Sequence, residues 1–510
     1  MPRYAALDIG SNSVRMMAAE VIPGRPMEIL AVDREVTRLG QSVFRSGSVS
    51  REALDSLCRY LDRMVESYRK LDVVAVRAVA TAAVRDASNQ DEFMQRVTQT
   101  LGAPVEIVSG QEEARLIHLG VQNRWPHPDK RILIIDIGGG SAEIILSENG
   151  RQQHAYSQPL GAIRLTEVFL KSDPPDPREL HRMEEFIEEK MAAPLKHIGP
   201  RCCDRAIATS ATPAAIVCAV NRVSRSRRDQ ADRLRATSAQ LKKLYRDLSE
   251  WDVARRRKAP GIGPRRAEII VPGAAVLHRF LADFQLPSLY YSVAGVRDGI
   301  IADLAARGVG REKSLLSPEQ RQVCEQMAQR YGIALRHVRK VAALGHTLFE
   351  SLAPLHKLPP VYGKMLEAGA YLHDIGHIVT DNGHHRHSQY IVQHADMPGF
   401  TDQERAVIGN LCRHHRKSMP GAKHPDFQAL PSELRKVVTQ LIPLLRLADS
   451  LDRTHEQRVE GIECQLRDGS VVIYLKSSAD TDLDQWAGER VAEVFQQVYE
   501  HKLAVVRARR

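Results

Sequence analysis

The chain has 510 residues, 43% hydrophobic and 26% charged, an ordinary globular composition over more length than one core accommodates, so three or four domains are expected. Only 5% of residues are aromatic, which argues against base stacking on exposed rings as the main mode of binding, and no apolar run is long enough to span a bilayer. The N-terminus shows no basic-then-apolar leader, and seven scattered cysteines without a CxxC pair point away from disulfides and zinc ribbons and toward a reducing cytoplasm.

Residues 4–22 predict strand–turn–strand, followed by a third strand near 29–38, a helix near 50–69, a strand over 73–81, a helix near 89–101, a strand at 105–109 and a helix from Gln111. Residues 131–215 repeat the theme. Strands RILIID and AEIILSE are followed by a third near 151–157, a helix from Thr166, and a strand AIATS that opens onto another helix. SDPPDPREL (172–180) reads as a loop entering a helix, and KAPGIGP (258–264) as a break. A helix ending near Gly310 closes this part. SLLSPEQRQV (314–323) opens a helical region that runs to about 455, and a tail of two strands and one helix completes the chain. The front is therefore α/β, with mixed, helix-covered sheets.

Two turns in this order are nearly the same. YAALDIGSNSV (4–14) and LIIDIGGGSA (133–142) each end an apolar strand in Asp-Ile-Gly, turn through Gly and Ser, and begin a second strand. A carboxylate at a strand end can hold a hydrated divalent cation, and the N–H groups and hydroxyls of a tight turn can hold phosphate oxygens. Two copies 128 residues apart imply two similar half-domains facing each other across a phosphate-binding cleft.

Phosphoanhydride hydrolysis needs a cation, donors that hold the phosphates in line, and a base for water. Asp8, Asp136 and Glu143 are candidates for magnesium; Ser11, Asn12, Ser13, Gly138, Gly139, Gly140 and Ser141 for phosphate. Thr81 ends a strand, and Ser210 lies in a Thr/Ser turn at a helix start, an arrangement suited to anions. Arg15 and Arg85 can stabilise developing charge, and Glu113, beside Glu112 at a helix start, is the candidate base.

Charge and histidine are unevenly spread. Residues 222–266 hold fifteen Lys/Arg against five Asp/Glu, so this segment alone carries the net charge of +10 and points to a polyanionic ligand. No helix-turn-helix, zinc-finger or RNA-binding pattern accompanies it, which sets nucleic acid aside. Fourteen of the twenty histidines follow residue 320. His346, His373–Asp374, His387, His414–His415 and Asp449 form an ordered series on helices, and imidazoles with a few carboxylates suit manganese, iron or zinc.

The paired loops resemble those of the actin, hexokinase and acetate kinase superfamily. Together with ATAAVRDASN, SGQEEARLIHLGV, GAIRLTE, ATSATPA and RRAEIIVPGA, in that order over residues 1–305, they resemble the exopolyphosphatase / guanosine pentaphosphate phosphohydrolase family. The resemblance implies a duplicated actin-like (RNase H-like) fold: subdomain I over 1–125 and subdomain II over 126–310. It implies magnesium-dependent removal of a terminal phosphate from inorganic polyphosphate or from guanosine pentaphosphate, in a cytoplasmic homodimer. By motif, Glu113 falls on the catalytic glutamate and Asp136 and Glu143 on the metal and water-positioning acids. Arg15, Arg85 and Arg266 fall on phosphate-contacting residues. Ala82 stands where a hydroxyl is usual. The histidine series resembles the HD-domain phosphohydrolases over 318–455, with 456–510 as a small α+β appendage. Polyphosphate hydrolysis is the first reading, guanosine pentaphosphate hydrolysis the second, and a non-catalytic sensor with a signalling HD domain the third.

Overall fold

Alternating and continuous apolar runs at the front of the chain build two sheets. The computed structural model describes residues 2–22, 24–201, 203–307 and 314–508, in two compact units, Met1–Val309 and Gly310–Arg510. The first sheet holds β1 (Arg3–Ile9), β2 (Val14–Glu20), β3 (Glu28–Glu35), β4 (Ala75–Ala80) and β5 (Val105–Ile107), in the order β3-β2-β1-β4-β5. The second holds β6 (Arg131–Ile137), β7 (Ala142–Glu148), β8 (Arg151–Gln158), β9 (Arg205–Thr209), β10 (Arg235–Thr237) and β11 (Ser288–Tyr291), in the order β10-β11-β9-β6-β7-β8. β1 pairs antiparallel with β2 and parallel with β4, and β6 pairs in the same way with β7 and β9. The duplication in the two turns is therefore a duplication of topology. β6 is buried from Ile132 to Ile137, as expected of a strand covered on both faces.

Helix Arg51–Arg69 shows how cover is made. Leu54, Leu57, Leu61, Met64, Val65 and Tyr68 recur at helical spacing and bury one stripe in the first core, and the Ser50 hydroxyl accepts the Ala53 N–H at 3.3 Å to cap its start. Helix Gly110–Arg124 does something different. Leu116 packs with Tyr4 and Ala6 of the first half and with Ile300, while Ala114, Ile117 and Val121 pack on Ile132, Ile134 and Ile145 of the second. Beside it runs helix Val296–Arg307, so close that a Cβ added to Gly299 would lie 1.8 Å from the Leu116 carbonyl oxygen.

Short helices Leu39–Ser46 and Ala82–Asp86 were not expected from periodicity, being too short to show one. The helix expected from Thr166 starts earlier and is short, Ala162–Phe169, and the loop read over 172–180 enters helix Pro177–Ile198 as expected. The prolines of SDPPDP separate them, and Asp176 opens the second with a capping box to Glu179. The expected helix end near Gly310 falls outside the described residues; the helix is described to Arg307.

The second unit is helical from Pro318 to Ser450, with β12 (Gly461–Arg467), β13 (Ser470–Lys476) and β14 (Lys502–Arg507) forming a separate sheet. The single tail helix read from the sequence is instead two, Asp482–Glu489 and Ala492–Tyr499, and β14 was not foreseen. Val471, Phe495 and Val505 of this tail bury in the same core as Val438 and Leu447. Among the described residues no helix is long and apolar enough to cross a membrane.

Candidate active site

Both Asp-Ile-Gly turns lie at strand ends and close the same way: the Gly10 N–H donates to the Ser13 carbonyl at 3.1 Å, and the Gly138 N–H to that of Ser141 at 3.0 Å. They face each other at close range. A Cβ on Gly139 would come within 2.9 Å of Ser11 Cβ, and one on Gly140 within 2.7 Å of Ser11 Oγ, so only glycine permits this approach. The cleft between them, about 220 Å³, is lined by Asp8, Ser11, Asn12, Ser13, Arg15, Thr81, Glu113, Asp136, Gly138, Gly139, Gly140, Ser141, Ser210 and Arg266. These candidates are thus brought together from six separate stretches of chain.

The cleft is lined with acids. Asp8, Glu113 and Asp136 line it, and Glu143, fully buried, stands behind Asp136, its partner residue in the β6–β7 register. Burial, then repulsion from Glu113, pushes the Asp136 carboxyl up to about 7. Burial followed by repulsion from Glu113 and Asp136 raises Glu143 well above the ordinary carboxylate range. Asp8 and Glu113 are raised by burial as well, with Arg15 and Arg85 respectively opposing it. The Ser157 hydroxyl donates to Glu143 at 2.8 Å, while the other Glu143 oxygen is buried without a hydrogen-bond partner. A cluster of carboxylates that cannot all ionise, with one oxygen orphaned, fits a divalent cation.

The same cleft is also lined with arginines. Besides Arg15 and Arg266, it carries Arg34, Arg228 and Arg297. Burial and mutual repulsion push Arg34 down to about 10 and Arg266 to about 9, and they lower Arg297 too. Arg266 donates to the Thr212 hydroxyl at 2.8 Å, at the start of helix Ala211–Val220. Ser210, just before that helix, has φ +79° and ψ 176°, a conformation nearly restricted to glycine, and its strain marks the turn as held by its surroundings. Arg34, Thr212, Arg228, Arg297 and Asp298 were not singled out from the sequence. Arg34, Arg228, Arg297 and Asp298 come from a strand, a 3₁₀ turn and a helix start outside the quoted motifs, whereas Thr212 lies inside ATSATPA, two residues after Ser210.

Two expectations change. Arg85 is not a free phosphate ligand: its Nη1 donates to Glu113 at 2.8 Å and to the Val108 carbonyl at 2.7 Å, so it orients the acid. Glu143 lies behind the cleft, not on its wall. Glu112 turns away from the chemistry into a buried network. It accepts from Arg77 at 3.0 Å and from Arg115 at 2.7 Å, and both arginines also donate to Asp303 at 2.9 Å, tying helix Gly110–Arg124 to helix Val296–Arg307. Within the basic segment, Arg256 is also structural, buried and donating to the Leu248 carbonyl at 2.9 Å. The arginines that gather beside the cleft are Arg34, Arg225, Arg228, Arg265 and Arg266.

In the second unit, His373, Asp374, His415 and Asp449 come together, but His346 and His387 do not join them. His337 stands where His346 was expected. Nine residues along one helix is half a turn of phase, so the two point to opposite faces. His384 at the start of its helix, with His377, replaces His387. His414 points elsewhere, its Nδ1 on the Ser418 carbonyl at 3.1 Å.

Two facing Asp loops, a buried glutamate and a ring of arginines on duplicated mixed sheets define an actin-like phosphoanhydride hydrolase. The pattern of the Ppx/GppA phosphatase family matches residues 17–307, and that of Ppx/GppA phosphatase domain III matches residues 320–487. The chain belongs to the Ppx/GppA phosphatase family, whose members generally depend on a divalent metal. It is 27% identical over 470 residues to a guanosine-5'-triphosphate,3'-diphosphate pyrophosphatase of Vibrio vulnificus, covering 90% of this chain and 88% of that one. Among solved structures, the Aquifex aeolicus PPX-GPPA enzyme superposes with a TM-score of 0.53 at 28% identity, over 59% of this chain and 99% of that one. An exopolyphosphatase-like protein superposes with a TM-score of 0.56 at 26% identity, over 59% and 97%.

Proposed function

We propose that the front cleft removes the terminal phosphate of inorganic polyphosphate, releasing orthophosphate, with magnesium. The observation that carries this reading is one cleft lined by the carboxylates of Asp8, Glu113 and Asp136, five arginines and two Gly/Ser turns, with the orphaned oxygen of Glu143 buried behind it. Asp8 and Asp136, backed by Glu143, would hold the cation, which when bound neutralises charge on the phosphate oxygens. The turns at 10–13 and 138–141 hold the terminal phosphate in line through N–H groups and hydroxyls. Glu113, oriented by Arg85, accepts a proton from water as its oxygen bonds to the terminal phosphorus. The bridging P–O bond breaks and its electron pair stays on the shortened chain. Arg15, Arg266 and Arg297 meet the charge of the phosphates that remain.

A second substrate, guanosine pentaphosphate, is favoured by one observation: the 27% identical relative over 90% of the chain is named for that activity. Orthophosphate release from long polyphosphate, short polyphosphate and guanosine pentaphosphate, side by side with magnesium, tests both. Faster kcat/KM on long polyphosphate supports the first reading. Turnover of the nucleotide alone overturns it in favour of the second.

A further inference from the structure

The second unit contains a cluster of metal-ligand side chains that the front chemistry does not use. His337, His373 and Asp449 form one group and Asp374, His377 and His384 another, with ligand atoms in each group within 4.8 Å of one another. Asp374 faces both: its Oδ2 lies 3.5 Å from His373 Nε2, and its Oδ1 lies 3.2 Å from His384 Nε2, 3.7 Å from His377 Nε2 and 3.6 Å from His415 Nε2. Asp449 Oδ1 is 3.4 Å from His373 Nε2 and 3.6 Å from His337 Nε2.

The far side of each ring explains the near side. Nδ1 of His373, His384 and His415 lies 2.9, 3.1 and 2.7 Å from the carbonyls of Ala370, Asp381 and Cys412. Nδ1 of His337 and His377 lies 2.8 Å from the carboxylates of Asp452 and Asp381. An acceptor there places a proton on Nδ1 and turns Nε2 of all five rings inward, where the neutral ring offers a metal-binding lone pair. His384 and His415 even present Nε2 to Nε2 at 3.3 Å, and His337 and His373, at 2% and 0% exposure, have no hydrogen-bond partner on that nitrogen. Five imidazole Nε2 atoms and two carboxylates thus converge on one space.

Ion pairs alone account for this poorly. Charge-assisted hydrogen bonds run about 2.7–2.9 Å, and the imidazole–carboxylate distances here are 3.2–3.7 Å. They lie closer to the edges of a coordination polyhedron, about 3.0–3.4 Å for bonds of about 2.1 Å, with two of the six inside that range and four just beyond it. The cluster also opens into a cavity of about 780 Å³ whose wall carries Arg416, Lys417, Arg446, Arg453 and Arg490. Arg446 is engaged with the His414 and Lys417 carbonyls, while Arg416, Lys417, Arg453 and Arg490 are exposed at the mouth.

We propose that the second unit holds two divalent transition-metal ions bridged by Asp374, and that these ions, with the cationic mouth, bind a phosphate-bearing anion. His337, His373 and Asp449 complete one ion's ligands, and His377, His384 and His415 the other's. This site is independent of the front cleft and of the substrate assigned to it.

The test uses the full chain, stripped with chelator, reloaded with manganese and desalted. An Asp136→Asn background weakens the front cleft. In that background two manganese ions per chain are expected, with the exchange-coupled resonance of a bridged pair. Asp374→Ala is expected to lose both ions, and His384→Ala, should the first variant fail to fold, one. Inorganic phosphate titrated calorimetrically into the loaded chain is expected to bind at least tenfold more weakly in Arg453→Ala/Arg490→Ala, with manganese content unchanged. Folded variants that keep the background's metal content, or two uncoupled ions, overturn the bridged pair. Phosphate affinity that ignores the arginine pair, or no phosphate binding to the loaded chain, overturns the anion site.

Discussion

Replacing Glu113 by Gln separates the chemistry of this residue from its shape. One oxygen of Glu113 is taken by Arg85 at 2.8 Å; the amide oxygen of Gln can accept the same bond and keep the side chain in register. What the amide cannot do is take a proton from water. Loss of a positioned base costs about 10²–10⁴ in rate, or about 2.7–5.4 kcal/mol at about 1.36 kcal/mol per decade. The folding cost should be small, because two effects oppose. The ion pair with the partly exposed Arg85 weakens, but a negative charge also leaves a site where Asp136 and Glu143 are pushed up by it. A net change within about 1 kcal/mol is expected. The assay is orthophosphate release at saturating polyphosphate and magnesium, with KM and the melting temperature measured on the same preparation. A kcat within tenfold of the parent refutes Glu113 as base. A fall in melting temperature large enough to account for the lost activity shows instead that the acid is structural.

Three further outcomes follow from the same geometry. The Asp136 carboxyl binds its proton more tightly folded (about 7) than unfolded (about 4), so its stabilising contribution is full below the unfolded value and is lost as pH rises through about 7. The metal-free chain should therefore melt lower at pH 8 than at pH 6, and magnesium should narrow that gap while binding more weakly at the lower pH; equal melting at both pH values without metal would contradict it. Neutralising Arg225, Arg228 and Arg265 should raise KM for long polyphosphate far more than for guanosine pentaphosphate, with a shallower salt dependence, whereas Arg255→Ala with Arg257→Ala should change both little; kinetics across a salt series separate these. Gly299→Ala drives a methyl into the Leu116 carbonyl and should cost about 3 kcal/mol, the upper end for overpacking, read by denaturant unfolding; a neutral result would mean the two helices part easily.

The sequence carried the front site where chemistry is encoded locally. Asp8 and Asp136 sit in turns whose Gly and Ser are adjacent in the chain, and Glu113 follows a helix-capping Ser109, so each could be read within ten residues. Arg34 and Arg297 could not, because β3 and helix Val296–Arg307 show only ordinary periodicity, and what aims those arginines at the cleft is tertiary packing. Arg85 was read as a ligand because an arginine just past a strand end looks available until its carboxylate partner, 28 residues away, is seen. In the second unit the residue types were right and the choice among fourteen histidines was not. His337 and His346 share a helix, and only the packing of that helix decides which of two opposite faces turns inward. Sheet order was legible as far as the repeat extended; β14 was missed because its partner β13 lies across two helices.

The close crossing at Gly299 has a mechanical consequence. Helix Gly110–Arg124 carries Glu113 in its first turn, and helix Val296–Arg307 carries Arg297 in its own. Where they cross, the Leu116 carbonyl meets Gly299, and on the other helix Gly120 faces the Gly295 carbonyl, so peptide rests on peptide at both points. Side-chain contacts yield by changing rotamer; peptide planes do not. The pair behaves as a fulcrum of fixed length, with the Glu113 carboxyl on one arm and the Arg297 guanidinium on the other. Drift elsewhere in the core can thus be absorbed without altering that span, and the two glycines are constrained as a couple, since a change at either resets the separation that both arms share.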